Sequence, residues 1–471
     1  MREQGHKRSR RTLRTVAVVS ALLLGGGGTA VVAGHAVAGF GPGDGGERGD
    51  RREGERGDAR QVARTIDCPD VGMALREVPE SAKRPVGREL AALDAQLAHA
   101  YERLNSPRWK TRSVLAGLER EREQTIGRIA SGIERAGGVA RDLERMSRCG
   151  VQRDEAAEPV SDGARMEPWE GADKPGGPVP ADFVDIRTVR PSGPPPRPGD
   201  EASTGTFTTE CGTNEEEHLN SDNVIANPGV ANGAHHVHDY VGNLATDAFS
   251  DDEELAGADT TCENGDRSSH YWPVLRQLDG RRDDRGTRDG GAGGHLDGNL
   301  GTILRPAEVD LTFRGSSVSE VTAMPRFLRI ITGDAKAFTN GTQNANASWS
   351  CTGYEDRQLT DKYPICPDGS RVVRTFAFQS CWDGENTDSA NHRTHVAFAE
   401  DDGGCPDGFR AIPQLVQRIL YDVPPGAAFA VDSFPEQLHK PVTDHSDFIN
   451  VMDEDLMRKV VACVNGGRDC G

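Results

Sequence analysis

Aromatic side chains are scarce in this sequence, at 5%, and hydrophobic residues reach only 35%. Glycine (56) and proline (27) are plentiful instead, a mix that suits a loop-rich β domain with solvated segments better than a compact helical enzyme. Positive charge is also in deficit. The formal net charge is −19, so a phosphate backbone would be repelled and no nucleic-acid partner is expected. None of the ten cysteines forms a Cys-x-x-Cys pair, which removes zinc-ribbon and thioredoxin-like redox centres. Also missing are a Gly-x-Ser-x-Gly elbow, a His-Glu-x-x-His helix, a P-loop and a dinucleotide fingerprint. The commonest hydrolase, zincin, NTPase and dehydrogenase readings go with them.

What is there begins with a basic region (residues 1–14), an apolar run (15–34) and Ala36-Val37-Ala38. This is the three-part pattern of a secretory signal over residues 1–38. A retained membrane anchor is the alternative, but Gly25–Gly28 and the Ala-x-Ala favour cleavage. No other segment is apolar enough to cross a membrane, so no membrane contact is expected after cleavage. An even number of cysteines fits an exported, extracellular protein with up to five disulfides.

Residues 39–65 are mostly Gly, Asp, Glu and Arg and read as a disordered linker. Residues 66–150 are bracketed by Cys68 and Cys149. Leu90, Leu93, Leu97, Tyr101 and Leu104 recur there at helical spacing, as do Leu115, Leu118, Ile126, Ile129 and Ile133. Asn105-Ser106-Pro107 breaks the pattern, with Pro107 suited to a helix start. The spacing predicts an antiparallel, coiled-coil-like helical hairpin closed by a Cys68–Cys149 bond, serving as spacer or docking arm. Residues 151–200 form a Pro/Gly-rich linker containing one alternating stretch, 182–189, which would open the next domain.

From 201 to 471, turn signals every ten residues or so separate short apolar runs such as 309–313, 327–331, 372–378, 394–398 and 419–423. The fold class expected is mainly β, an antiparallel sandwich-like domain separate from the N-terminal hairpin. The Cys-Pro-Asp-Gly motifs at 366–369 and 405–408 read as turns beside disulfides. Spacing alone does not fix the connectivity; the pairs expected are Cys211–Cys262, Cys351–Cys366, Cys381–Cys405 and Cys463–Cys470. Residues 453–464 have the spacing of a terminal helix.

Polar clusters within the β domain are the places for chemistry. His236, His238 and Asp239 lie in a Gly- and Asn-bounded run; if it is extended, His236 and His238 share one face, with His235 and Asp239 on the other. Asp383 follows Trp382, and His392, His395 and His445 come later. A divalent metal such as zinc or copper needs about three such ligands converging from separate strands, and His238, His395, His445 and Asp383 are the candidates. His236, His238, Asp239 and Asp383 are the catalytic candidates, and for each the plain alternative is a polar side chain bonded at a strand end. Tyr271, Trp272 and Trp382 are candidates for stacking on sugar rings, against the simpler reading that they fill a core. The acidic run 251–254 lacks the spacing of a calcium loop and reads as solvated.

Together, Pro228-Gly-Val230, His236-Val-His238 with Gly242-Asn243, Ser269-His-Tyr-Trp-Pro273, Ser380-Cys-Trp-Asp-Gly384, Asp388 through His395, and His445-Ser-Asp-Phe448 resemble a known family. It is the secreted domain of unknown function numbered nineteen ninety-six, seen in actinobacteria and fungi. The resemblance covers roughly residues 206–471 and departs from the family at Asn450-Val-Met-Asp453, where relatives tend to have Asn-Gly-Trp-Asp. It implies an extracellular β-rich domain with its histidines in a common region, and cell-wall or environmental polysaccharide as the substrate or partner. Three functions stay open: a polysaccharide-binding module, a metal-dependent hydrolase and a structural surface protein without catalysis.

Overall fold

The two long helices of the N-terminal unit follow from the apolar spacing. In the computed structural model α1 spans Glu80–Leu104 and α2 spans Thr111–Arg135. Leu93, Leu97, Tyr101 and Leu104 of α1, and Leu118, Ile126, Ile129 and Ile133 of α2, are buried, because residues three and four apart share one helix face. The second helix starts four residues later than Pro107, which lies in a turn where the Trp109 N–H donates to the Ser106 carbonyl. The antiparallel strands Arg64–Asp67 and Gly150–Arg153 bring the ends of the unit together beside the Cys68–Cys149 bond.

The structure describes residues 63–154, 176–193, 198–288 and 292–471. The expected signal (1–38), linker residues 39–62 and 155–175, and Pro194-Pro195-Pro196 lie outside the described residues. No helix among the described residues is long and apolar enough to cross a membrane.

The β domain is built on two main antiparallel sheets. In chain order their strands are β1 (Thr206–Thr209), β2 (Leu219–Asn220), β3 (His238–Gly242), β4 (Ser269–Pro273), β5 (Glu308–Arg314) and β6 (Arg329–Gly333). These are followed by β7 (Ala347–Cys351), β8 (Val372–Ala377), β9 (Gln414–Tyr421), β10 (His445–Ile449) and β11 (Asp469–Cys470). One sheet has the order β7-β8-β9-β5-β1-β11, with only the short β11 parallel to its neighbour. The other runs β6-β10-β4-β3-β2. Their facing sides share one core. Phe448 of β10 meets Phe313 of β5, and the Trp272 indole N–H donates to the Tyr421 hydroxyl across the layers at 3.0 Å.

Most of the expected strands fall inside these elements. Residues 394–398 contribute only the two-residue strand Val396–Ala397, in a small separate sheet. The stretch 182–189 does join the β domain, where Phe183–Asp185 pairs in parallel with Tyr363–Ile365. All five disulfides are the expected pairs, and both Cys-Pro-Asp-Gly motifs end in a glycine at positive φ, as tight turns require. The acidic run leads into a short helix, Asp252–Gly257, capped by Asp251. The terminal helix α3 (Glu454–Asn465) is capped by Asp453, which accepts the Leu456 N–H at 2.8 Å, and is tied down by Cys463–Cys470.

The hairpin lies against the β domain. The Gln152 side-chain amide donates to the Phe338 carbonyl at 3.0 Å, and Leu438 packs among Leu97, Tyr101 and Leu104. Lys336 reaches Asp94 of α1 at 2.7 Å.

Candidate metal centre

Alternation along β3, β4 and β10 divides their side chains between the sandwich core and an outer face. Val241, His270 and Phe448 point inward. Tyr240, Tyr271 and Asp447 form one outward row across the three strands. His238 and His445 stand at the adjoining ends of β3 and β10, in step with that row. Gly333, opposite His445, is constrained to glycine: its φ is +79° and an added Cβ would lie 2.6 Å from the His445 Cα.

His236 arrives differently. The chain before β3 bends through Asn232 and His235, both at positive φ, so His236 turns back toward the strand instead of continuing it. The result is a close group. His236 Nε2 lies 3.1 Å from His238 Nε2 and 3.2 Å from His445 Nε2. All three residues are buried, at 2%, 0% and 3% exposure.

The surrounding hydrogen bonds orient two of the imidazoles. The Nδ1–H of His238 donates to the Asp222 carbonyl at 2.9 Å, and that of His445 to the Thr443 carbonyl at 3.0 Å. A neutral imidazole that donates through Nδ1 has only a lone pair at Nε2. Two lone pairs therefore point at His236 Nε2, which carries at most one proton and can satisfy only one of them. Full protonation is no remedy. Burial first, then the neighbouring imidazoles, hold His236 and His238 well below the usual histidine range, and burial pushes His445 down to about 4.

Three converging neutral nitrogens suit a cation. Tetrahedral zinc with ligand bonds of about 2.0–2.1 Å implies nitrogen separations of roughly 3.3 Å, near the two distances found. His236 and His445 also line a cavity of about 150 Å³. Asp222 braces the loop behind the histidines. Its carboxylate accepts the N–H groups of Asn232 at 2.7 Å and Ala248 at 3.1 Å, and Arg288 pairs with it at 3.2 Å. Such outer partners fix ligand orientation.

Of the four expected ligands, two lie in this group and two lie apart from it. His238 and His445 come together as expected. His395 is engaged elsewhere, with Nε2 donating to the Arg329 carbonyl at 2.7 Å and Nδ1 2.9 Å from Ser389 Oγ. Asp383 stays in a surface turn, accepting the backbone N–H groups of Glu385 and Asn386. The third nitrogen comes from His236. Asp239 faces the other way, as alternation requires, and accepts from the Asn214 side chain at 2.6 Å; burial raises its carboxyl to about 7. His235 pairs with Asp297 at 3.2 Å.

The stacking candidates lie mostly inside the fold. Tyr271 and Trp272 are both 0% exposed because the five-stranded sheet is covered on both faces. Trp382 is half-buried and donates its indole N–H to the Asn386 carbonyl at 2.7 Å. Asp222, Thr443 and Phe434 escaped the sequence reading; two act through backbone carbonyls, and Phe434 packs edge-on to His236 at 5.3 Å.

Compared with known proteins, residues 223–451 match the family described as a domain of unknown function, DUF1996. No curated protein and no solved structure matches.

Proposed function

As the chain belongs to that family through residues 223–451, a family whose description assigns no activity, we propose a function from the geometry: a secreted, metal-dependent hydrolase. His236, His238 and His445 would hold one divalent ion. The observation that carries this reading is the convergence of three buried Nε2 atoms, two of them fixed as lone pairs by carbonyl acceptors. When bound, such an ion supplies Lewis acidity and a water of lowered pKa.

The chain's own groups have separate tasks. Asp222 and Thr443 keep their imidazoles in the ligating tautomer. Arg393, Lys336 and the Asp388–His392 pair bring charge to the cavity and its surroundings for orienting a polar substrate. Export is supported by the five disulfides and the signal-like first 38 residues. Extracellular or cell-wall polysaccharide is the proposed substrate, with a glycosidic or ester bond as the target. The binding-module alternative loses its main support with the burial of Tyr271 and Trp272.

Elemental analysis of protein purified without chelator tests the reading. One equivalent of metal in the wild type, absent in His238→Ala, is the expected result. It is accompanied by metal-dependent release of reducing ends or acyl groups from polysaccharide. A wild type that takes up no stoichiometric metal under any loading overturns it.

A further inference from the structure

The cavity before the trihistidine group has a floor and a roof from different parts of the chain. The floor includes His236, His445 and Ile331; the roof is Leu90, Leu93 and Leu97 of α1 with Arg122 of α2. Every β-domain residue of this cavity falls within the family-matched residues 223–451, whereas the hairpin lies wholly outside them. The roof therefore comes from outside the part of the chain that the family match covers.

The enclosed volume, about 150 Å³, is below the roughly 300–1,000 Å³ of ordinary small-molecule pockets. A water or a small acyl group fits; a polysaccharide segment does not. A groove of about 470 Å³ adjoins the cavity and shares Asp70, Met73, Asp334 and Asn340 with it. Its walls are the N-terminal unit on one side and the β domain on the other, so this seam leads to the histidines.

Polar contacts hold the seam closed. Lys336 Nζ lies 2.7 Å from Asp94 and 3.8 Å from Asp70, and Asn340 donates to Asp70 at 3.2 Å. Lys336 also sits over the Phe434 ring, which itself packs on His236. The hairpin has its own disulfide and an apolar cluster, from Val71 to Leu143, whose buried members are all its own, while a second cluster is shared with Leu438 of the β domain. The first cluster and the disulfide are the internal bonding of a unit that keeps its shape when displaced.

We propose that the helical hairpin is an autoinhibitory roof over the trihistidine site, latched by Lys336 between Asp94 and Asp70, and that polymer-sized substrate reaches the histidines only when it lifts. This deepens the metal-centre reading by naming how access is controlled. The roof itself is testable without metal.

The experiment is carbethoxylation of the metal-free full chain by diethyl pyrocarbonate, read by peptide mass spectrometry. Labelling of His236 and His445 rises about tenfold in Lys336→Gln and Asp94→Asn, the change expected when opening becomes about 1.4 kcal/mol easier. Lys336→Arg keeps the wild-type rate, and His218, stacked on Tyr240 within the β domain, serves as an internal control. Equal rates in wild type and both natively folded variants overturn the proposal. Should the variants lose their native near-ultraviolet dichroism, wild type in graded urea decides. Labelling of the site before the β domain unfolds supports the roof, and labelling only with global unfolding overturns it. Failure to bind metal in the elemental analysis removes the hydrolase reading and leaves this result standing.

Discussion

Arg374 and Asp444 form an ion pair with no solvent exposure at either side chain, its shorter contact 2.5 Å. The pair ties β8 to the residue immediately before His445, whose backbone N–H donates to the same carboxylate at 3.0 Å. It thus links the core between the sheets to one member of the trihistidine group. Removing one partner leaves an uncompensated buried charge. Asp444→Ala is expected to lower stability by about 3–5 kcal/mol, measured by urea unfolding at pH 7. A loss below about 1 kcal/mol, the scale of an exposed pair, is the contrary result.

The histidines separate cleanly by substitution. His236→Ala should weaken metal binding by at least about 100-fold, the upper end of effects seen even for outer-shell changes, whereas His395→Ala and Asp383→Ala keep the full equivalent. Titration calorimetry with zinc reads both. Retention by His236→Ala together with loss by His395→Ala would reinstate the ligand set expected from sequence.

Asp266 gives a pH signature remote from the histidines. Burial raises its carboxyl to about 6, and its Oδ1 accepts the Ser268 N–H at 2.8 Å. A folded-state pKa above the unfolded value means the folded state prefers the protonated form. Its stabilising contribution is complete below about pH 4 and is lost as pH rises through 6. Asp266→Asn should therefore gain on the wild type between pH 4 and 6, reaching a plateau on the order of 3 kcal/mol. Urea midpoints at pH 4.5 and 7.5 check this; a gap independent of pH sinks it.

The Cys68–Cys149 bond closes a separation of 81 residues. Replacing both cysteines by serine should cost about 2–4 kcal/mol, because long loops release more unfolded-chain entropy. Hydrogen exchange should register the loss in α1 and α2 before it reaches β9. Uniform loss across both units would contradict this.

Much of the architecture was legible from local rules. The hairpin followed from apolar spacing between Leu90 and Ile133, the sandwich from turn signals, and the terminal helix from Leu456, Val460 and Val464. The site was legible only in part. Spacing makes His236 a candidate, but its place beside His445 depends on the positive φ of His235, a backbone choice that spacing does not reveal. His395 and Asp383 lie apart from the group, because proximity in sequence to a Trp and a His says nothing of which sheet carries them. Ser269-His-Tyr-Trp-Pro273 suggested exposed aromatics. A strand buried on both faces carries such a run with no polar alternation to betray it. Lys336, which joins the hairpin to the β domain, stood in an unremarked loop.

The five disulfides join cysteines in strict succession, first to second through ninth to tenth, and no bond encloses or crosses another. A chain emerging from its N-terminus presents each pair complete before the next begins. Oxidation in order of appearance gives the native pairing directly, so the covalent frame is reached without reshuffling. The hairpin's bond closes first, ahead of every residue of the β domain on which that hairpin comes to rest.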